Sequence, residues 1–187
     1  ELRQAYAILA DPQQRQEYDG LQEGGGEVGR LMDEGNAAFS EERWDDASRS
    51  FKRALALSPD HLPARLQLAR TLALRGDRDA AFRILAKAAP RSDDLALHAE
   101  LGWVGLSDVV EATENEPANL NSAQKQRLLA ARDAFNRCIE VSPTMRAGYY
   151  GRARLSYYRE NWGKARTWAQ KSIDAGGVPD FEDYPAM

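Results

Sequence analysis

His61, His98 and Cys138 are the chain's two imidazoles and its one thiol, the side chains from which a zinc site or a thiolate nucleophile would be built. Zinc needs three or four such ligands at short spacing, and neither histidine has a cysteine partner or an HExxH arrangement around it. Both read as structural, His61 at an element boundary and His98 on a helix. Cys138 falls at a position whose counterparts along the chain are Ala54 and Ser172, which points to a small, buried packing residue and not to an activated nucleophile. Gly24, Gly26 and Gly29 satisfy the GxGxxG pattern that cradles phosphates, but that use requires a buried strand before the glycines. The preceding "RQEYDGLQE" is polar and helical in character, so the glycines read as a linker. Carboxylates are plentiful yet spread over polar faces, where no low-dielectric pocket would tune one for acid–base work. The sequence predicts no catalytic residues, no metal and no cofactor, and a chain that is not an enzyme.

Composition narrows the remaining classes. The 187 residues carry 25 Lys and Arg against 29 Asp and Glu, a formal charge of -4, so the broad positive field that attracts nucleic acid is missing. A hydrophobic fraction of 43% is that of a folding globular chain, and no apolar run approaches the roughly 20 residues that cross a bilayer. The chain opens at Glu1 without a methionine, and is read as part of a longer protein. A lone cysteine forms no internal disulfide and fits a reducing compartment, so the expected location is cytoplasmic.

The elements that position these residues follow from an internal repeat. Ala47, Phe51, Ala54 and Pro59 recur as Ala131, Phe135, Cys138 and Pro143, and a further step of 34 residues leads to Ala165, Ala169 and Ser172. Ala47 likewise leads by 34 to Ala81. A 34-residue helix–turn–helix period, with the pattern "LMDEGNAAFSEERWDDASRSFKRALALSPD", resembles the tetratricopeptide repeat. Four repeats are counted. The first, about Val28 to His61, sets Leu31, Gly35 and Phe39 on one helix and Ala47, Phe51 and Ala54 on the next; small Gly35 and Ala47 permit close approach, Trp44 fills the turn and Pro59 ends the second helix. The second, about Leu62 to Asp94, carries Leu68, Ala69, Leu85 and Ala88 with its proline displaced to Pro90. The third begins with Leu101 and Gly102, but its second helix arrives late, behind an insertion around residues 107–122. That insertion holds Asp108, Glu111, Glu114 and Glu116 and no basic residue, and reads as an acidic loop with an extended helix end and Ser122 as the following N-cap. The fourth, about Arg146 to Gly176, carries Tyr149, Ala153, Trp162, Ala165 and Ala169 and stops at Gly176 and Gly177.

The expected fold is therefore all-α, a right-handed superhelix of four tetratricopeptide-type helix pairs over residues 30–176. Residues 22–29 are its linker and 177–187 its tail. Before the linker, "AYAILADPQQRQEYD" resembles the C-terminal end of a J-domain through Tyr6, Leu9, Asp11, Pro12, Arg15, Tyr18 and Asp19, so residues 1–21 read as a remnant of one. The His-Pro-Asp tripeptide that such a domain uses would lie upstream of Glu1.

The tetratricopeptide resemblance implies a concave wall lined by the first helix of each repeat, used to hold a protein or peptide. On that pattern the wall comprises Met32, Asn36, Leu66, Arg70, Trp103, Tyr150, Arg154, Tyr157 and Tyr158, together with Phe39, Ala99 and Leu106. Tyr, Trp and Arg are the residue types enriched at binding hot spots, so the expected ligand is an apolar segment carrying an acidic residue. Some tetratricopeptide domains clamp chaperone tails with lysines, asparagines and an arginine; the matching positions here are Met32, Asn36, Gln67, Ala96 and Glu100, which keep only the asparagine. The leading expectation is an interaction scaffold. The alternative is a J-protein co-chaperone that holds clients for a DnaK-type partner, which requires an intact J-domain upstream. Nucleic acid and membrane are not expected partners.

Overall fold

The computed structural model describes the backbone of residues 12–115 and 120–176, and the side chains of 26–107 and 120–176. Among these residues there are eight α-helices, one 3-10 turn and no strand. Helices α1 (Pro12–Ser40), α2 (Trp44–Leu57), α3 (Leu62–Leu74), α4 (Arg78–Ala88), α5 (Leu95–Asn115), α6 (Ser122–Val141), α7 (Arg146–Tyr158) and α8 (Trp162–Asp174) form four successive helix–turn–helix pairs, with the 3-10 turn Ala89–Arg91 behind α4. The chain divides into two compact units, Glu1–Thr71 and Leu72–Met187.

In the first unit, the core is built where two helices come unusually close. Phe51 on α2 is fully buried, and its ring occupies the place a Cβ at position 35 would take, so only glycine on α1 lets the ring in. Val28 and Leu31 of α1 bury against Ala54 and Ala64. The turn between α1 and α2 puts Glu42 at φ 57 and closes with the Arg43 amide donating to the Ala38 carbonyl at 2.9 Å. Phe39 meets Trp44 edge to face across it, with centroids 5.2 Å apart. Helix α2 ends at Leu57, ahead of Pro59, and α3 begins with His61 as its cap: the Ala64 amide donates to His61 Nδ1 at 3.1 Å.

Helix α1 runs without a break through residues 22–29, where composition predicts a linker. Glycine inside a helix costs about 1 kcal/mol relative to alanine, and a Cβ at Gly26 or Gly29 would touch nothing, so these glycines serve no packing need. The burial of Val28 between them and of Leu31 just after offsets that cost. Tyr6, Leu9 and Asp11 of the J-domain-like stretch lie outside the described residues, as do the side chains of Arg15, Tyr18 and Asp19.

The second unit repeats the device with Phe135 of α6 at its centre. A Cβ at Gly102 on α5 would lie 2.5 Å from the Phe135 ring, and one at Gly151 on α7 would overlap the same ring. Helices on both sides thus close on one phenylalanine. Trp103, Leu106, Ala131 and Leu155 complete this core, with Ala99, Leu128, Tyr150 and Tyr158 packed around it. Gly76 takes φ 94 in the α3–α4 turn, and Asp77 caps α4 by accepting from the Ala80 amide at 3.1 Å. The loop before α5 is tied to α6 by Arg137, which donates to Asp93 at 2.6 Å and holds that carboxyl below the usual carboxylate range.

The insertion lengthens two helices. α5 has 21 residues and α6 has 20, against 13 for α7 and α8, so the backbone of Asp108, Glu111 and Glu114 is helical, and residues 116–119 lie outside the described part. The cap of α6 is Asn121, one residue before the Ser122 expected. Its side chain accepts from the Gln124 amide at 2.9 Å while Gln124 Oε1 accepts from the Asn121 amide at 2.9 Å, a reciprocal capping box that serine one position later would not make.

Candidate functional site

The groups with intrinsic reactivity are placed as packing and capping residues. His61 caps α3, as described. Buried His98 sets its Nε2 2.7 Å from the Ser92 carbonyl. Cys138 is fully buried on α6, where desolvation pushes its thiol up to about 11, away from the thiolate a nucleophile needs. Among the described residues, no three His, Cys, Asp or Glu side chains stand together as metal ligands. Among them, too, no helix is long and apolar enough to cross a membrane.

The nine residues expected on a binding wall fall in two groups. Met32, Asn36, Leu66 and Arg70 belong to the first unit. Met32 packs against the Val28–Leu31 core, Leu66 and Arg70 are half-buried, and exposed Asn36 accepts from Gln67 Nε2 at 3.2 Å. That hydrogen bond joins α1 to α3 and fixes the amide outward of the core.

The second unit carries Trp103, Tyr150, Arg154, Tyr157 and Tyr158. Trp103 is not an exposed anchor: it is 7% exposed, edge to face with Phe135 at 4.9 Å and tilted against Tyr150 at 5.7 Å. Phe135 of α6 and Tyr150 of α7 pack on it, so its indole is core. Tyr150 is half-buried beside it. Tyr157 is the opposite case, 57% exposed at the end of α7. Its ring stands edge to face with Tyr158 at 5.6 Å and with Trp162 of α8 at 5.0 Å. Arg154 lies one turn back, donates from Nη2 to the Tyr158 hydroxyl at 2.9 Å and stacks over that ring. An arginine so pinned is pre-oriented for a carboxylate, since its fork has donors left over.

Trp162, 58% exposed, belongs to this surface although the sequence pattern placed it only as a residue of the fourth repeat and not on the binding wall. The signal was available. Tyr157 and Trp162 stand 118 residues after Phe39 and Trp44, and the two pairs share the same edge-to-face geometry. In the first repeat both rings are half-buried; in the fourth, both are exposed.

Helix pairs that close on a phenylalanine through glycine, in a chain whose described residues form helices and no strand, are those of a tetratricopeptide-type fold. Consistent with this, a family model described as "Tetratricopeptide repeat" matches residues 38–101, about a third of the chain. Solved structures share the fold at low identity. A thermophilic tetratricopeptide protein of Thermus thermophilus is 19% identical, with a TM-score of 0.63 over 80% of this chain and 74% of its own. A MamA crystal structure is 20% identical, with a TM-score of 0.60 over 76% and 74%. A monomeric IFIT1 mutant with m7Gppp-AAAA is 19% identical, with a TM-score of 0.64 over 78% of this chain and 32% of its own. At these identities the likeness is one of fold. No curated protein matches the chain.

Proposed function

We propose that this chain is a non-enzymatic scaffold that holds a protein or peptide segment on the concave wall lined by the first helix of each repeat. The observation that carries the reading is the corner of α7 and α8. Two large aromatic side chains, Tyr157 and Trp162, stay more than half exposed while braced by Tyr158 and Arg154. Stiff, exposed aromatic area costs little entropy to immobilise, and the neighbouring guanidinium selects for an acidic residue. The partner is an apolar segment carrying a carboxylate. Asn36, Leu66 and Arg70 offer a second contact region on the first unit.

The test replaces Tyr157 with a photo-crosslinking residue and identifies what is captured, then measures that partner's affinity. Tyr157→Ala is expected to weaken binding roughly thirtyfold, about 2 kcal/mol, with the melting temperature nearly unchanged. Unaltered affinity would remove this corner from the interface.

A second reading, a co-chaperone of a DnaK-type protein, rests on the J-domain-like residues Tyr6, Leu9, Asp11, Pro12, Arg15, Tyr18 and Asp19. The sequence immediately upstream of Glu1 decides it: an intact His-Pro-Asp supports the co-chaperone, and a degenerate one leaves the scaffold.

A further inference from the structure

A second surface lies on the other side of α7. Arg152, Leu155, Ser156 and Arg159 follow one another at helical spacing, about half a turn round the axis from Tyr150, Arg154 and Tyr157. They open on a cleft of about 720 Å³ shared with α6 and the start of α8. Its walls combine two chemistries. Leu120, Leu128, Leu129, Leu155 and Tyr158 are apolar, and Leu129 is 47% exposed. Lys125, Arg132, Arg152, Arg159 and Lys164 are cationic, and among the described residues no carboxylate lines the cleft.

This is a local reversal in a chain of net charge -4. Arg132 pairs with Asp133 at 2.7 Å, but among the described residues Lys125, Arg152, Arg159 and Lys164 make no ion pair. Arg152 is the most constrained of them: its Nε is buried without a hydrogen-bond partner, and its guanidinium stacks over Trp168 at 5.1 Å. Burial, followed by the repulsion of Arg132, lowers its pKa below the ordinary arginine value, with Asp133 opposing and Arg159 adding. Like charges crowded around an apolar floor are a cost that an incoming anion removes.

We propose that this cleft is a second docking site, for an acidic peptide segment of a partner protein that places a leucine-sized side chain on the floor and carboxylates against the cationic rim. The occupant is argued from charge complementarity and from the four leucines, which suit an aliphatic side chain and outnumber the single aromatic ring, Tyr158, in the described lining. The site shares with the scaffold reading the idea that the chain holds other proteins and the bordering residue Tyr158, but it uses a different face of α7.

The test titrates the full chain into a fluorescein-labelled Glu-Glu-Leu-Asp-Glu-Leu peptide and follows anisotropy. Saturable binding is expected, weakened at least tenfold by the exposed-residue variant Lys125→Glu/Arg159→Glu and by Leu129→Ser, and falling with salt, while Tyr157→Ala leaves it unchanged. Circular dichroism of each variant checks that the helices remain. Absence of binding, equal binding of a peptide with lysines in place of its acids, or full displacement by millimolar inorganic phosphate each overturns the proposal. Loss with Tyr157→Ala and not with the cleft variants also overturns it, and assigns the peptide to the α7–α8 corner, leaving the scaffold reading intact. The chain's own residues 177–187 contain Asp180, Glu182 and Asp183 and no basic residue. If Asp180→Asn/Glu182→Gln/Asp183→Asn strengthens peptide binding tenfold or more, the cleft belongs to that tail and the partner-segment proposal fails.

Discussion

Single residues show where sequence spacing sufficed and where it did not. Phe51 and Phe135 were legible because a repeat keeps its largest core side chain in register with the small residues that admit it, Gly35 for one and Gly102 and Gly151 for the other. Trp103 was not legible. A tryptophan on the first helix of a repeat faces either the groove or the neighbouring pair, and the choice depends on what packs against it, here Phe135 and Tyr150, which the 34-residue register does not encode. Trp103→Ala is therefore expected to cost about 3–5 kcal/mol of stability, as for other buried aromatics, with a matching fall in the denaturation midpoint. A variant as stable as the parent would return Trp103 to the surface. Cys138 permits a sharper test. Its acid dissociation is displaced upward from an ordinary 9.0 to about 11, so the folded state retains the thiol proton more strongly than the unfolded chain. The associated stability is fully present below pH 9 and drains away as pH rises through 11. Urea midpoints at pH 8 and pH 10.5 should differ more for the parent than for Cys138→Ala, and folded protein at pH 8 should react slowly with a thiol reagent.

At the scale of elements, glycine has opposite meanings that composition does not separate. At Gly151 the Phe135 ring takes the space of a side chain, whereas at Gly29 there is open space within a continuous helix. Gly151→Ala is expected to destabilise by roughly 1–3 kcal/mol through overpacking, despite alanine's better helix propensity. Gly29→Ala is expected to stabilise by up to about 1 kcal/mol, which is alanine's advantage inside a helix; a flexible linker at residues 22–29 would show no such gain. Thermal denaturation of the two variants measures both signs. The insertion was misread in part for a related reason. Four carboxylates, a proline and three asparagines look like loop, yet asparagine also caps helices, and Asn121 with Gln124 starts α6 earlier than the repeat register allows. The cationic cleft left no sequence signal, because its five basic residues come from α6, α7, the residue after α7 and α8, and meet only after those helices pack.

Taken as a whole molecule, the chain encodes one motif four times, and the turns carry its most regular signature. Glu42, Gly76 and Glu160 all take positive φ between the helices of the first, second and fourth pairs, while the third pair, with its extended helices, lacks a counterpart among the described residues. Phe51 closes on Gly35 of its own pair and Phe135 on Gly102 and Gly151 of its own and the next pair, so stability should behave as a sum of local terms and not as one indivisible core. This has a measurable consequence for opening. The glycine at position 35 serves Phe51 inside Glu1–Thr71, and the glycine at 151 serves Phe135 inside Leu72–Met187. Gly35→Ala forces the Phe51 ring out of its seat, and the amides that lose protection should be those of α1 and α2. Gly151→Ala should act on α6, α7 and α8 in the same way. Native-state hydrogen exchange read by mass spectrometry resolves these helices, and the expected result is a local rise of tenfold or more in each variant, with the other unit close to its parental rate. A uniform rise along α1 to α8 from either substitution would mean that the repeats open together, and that the additive picture of this chain is wrong.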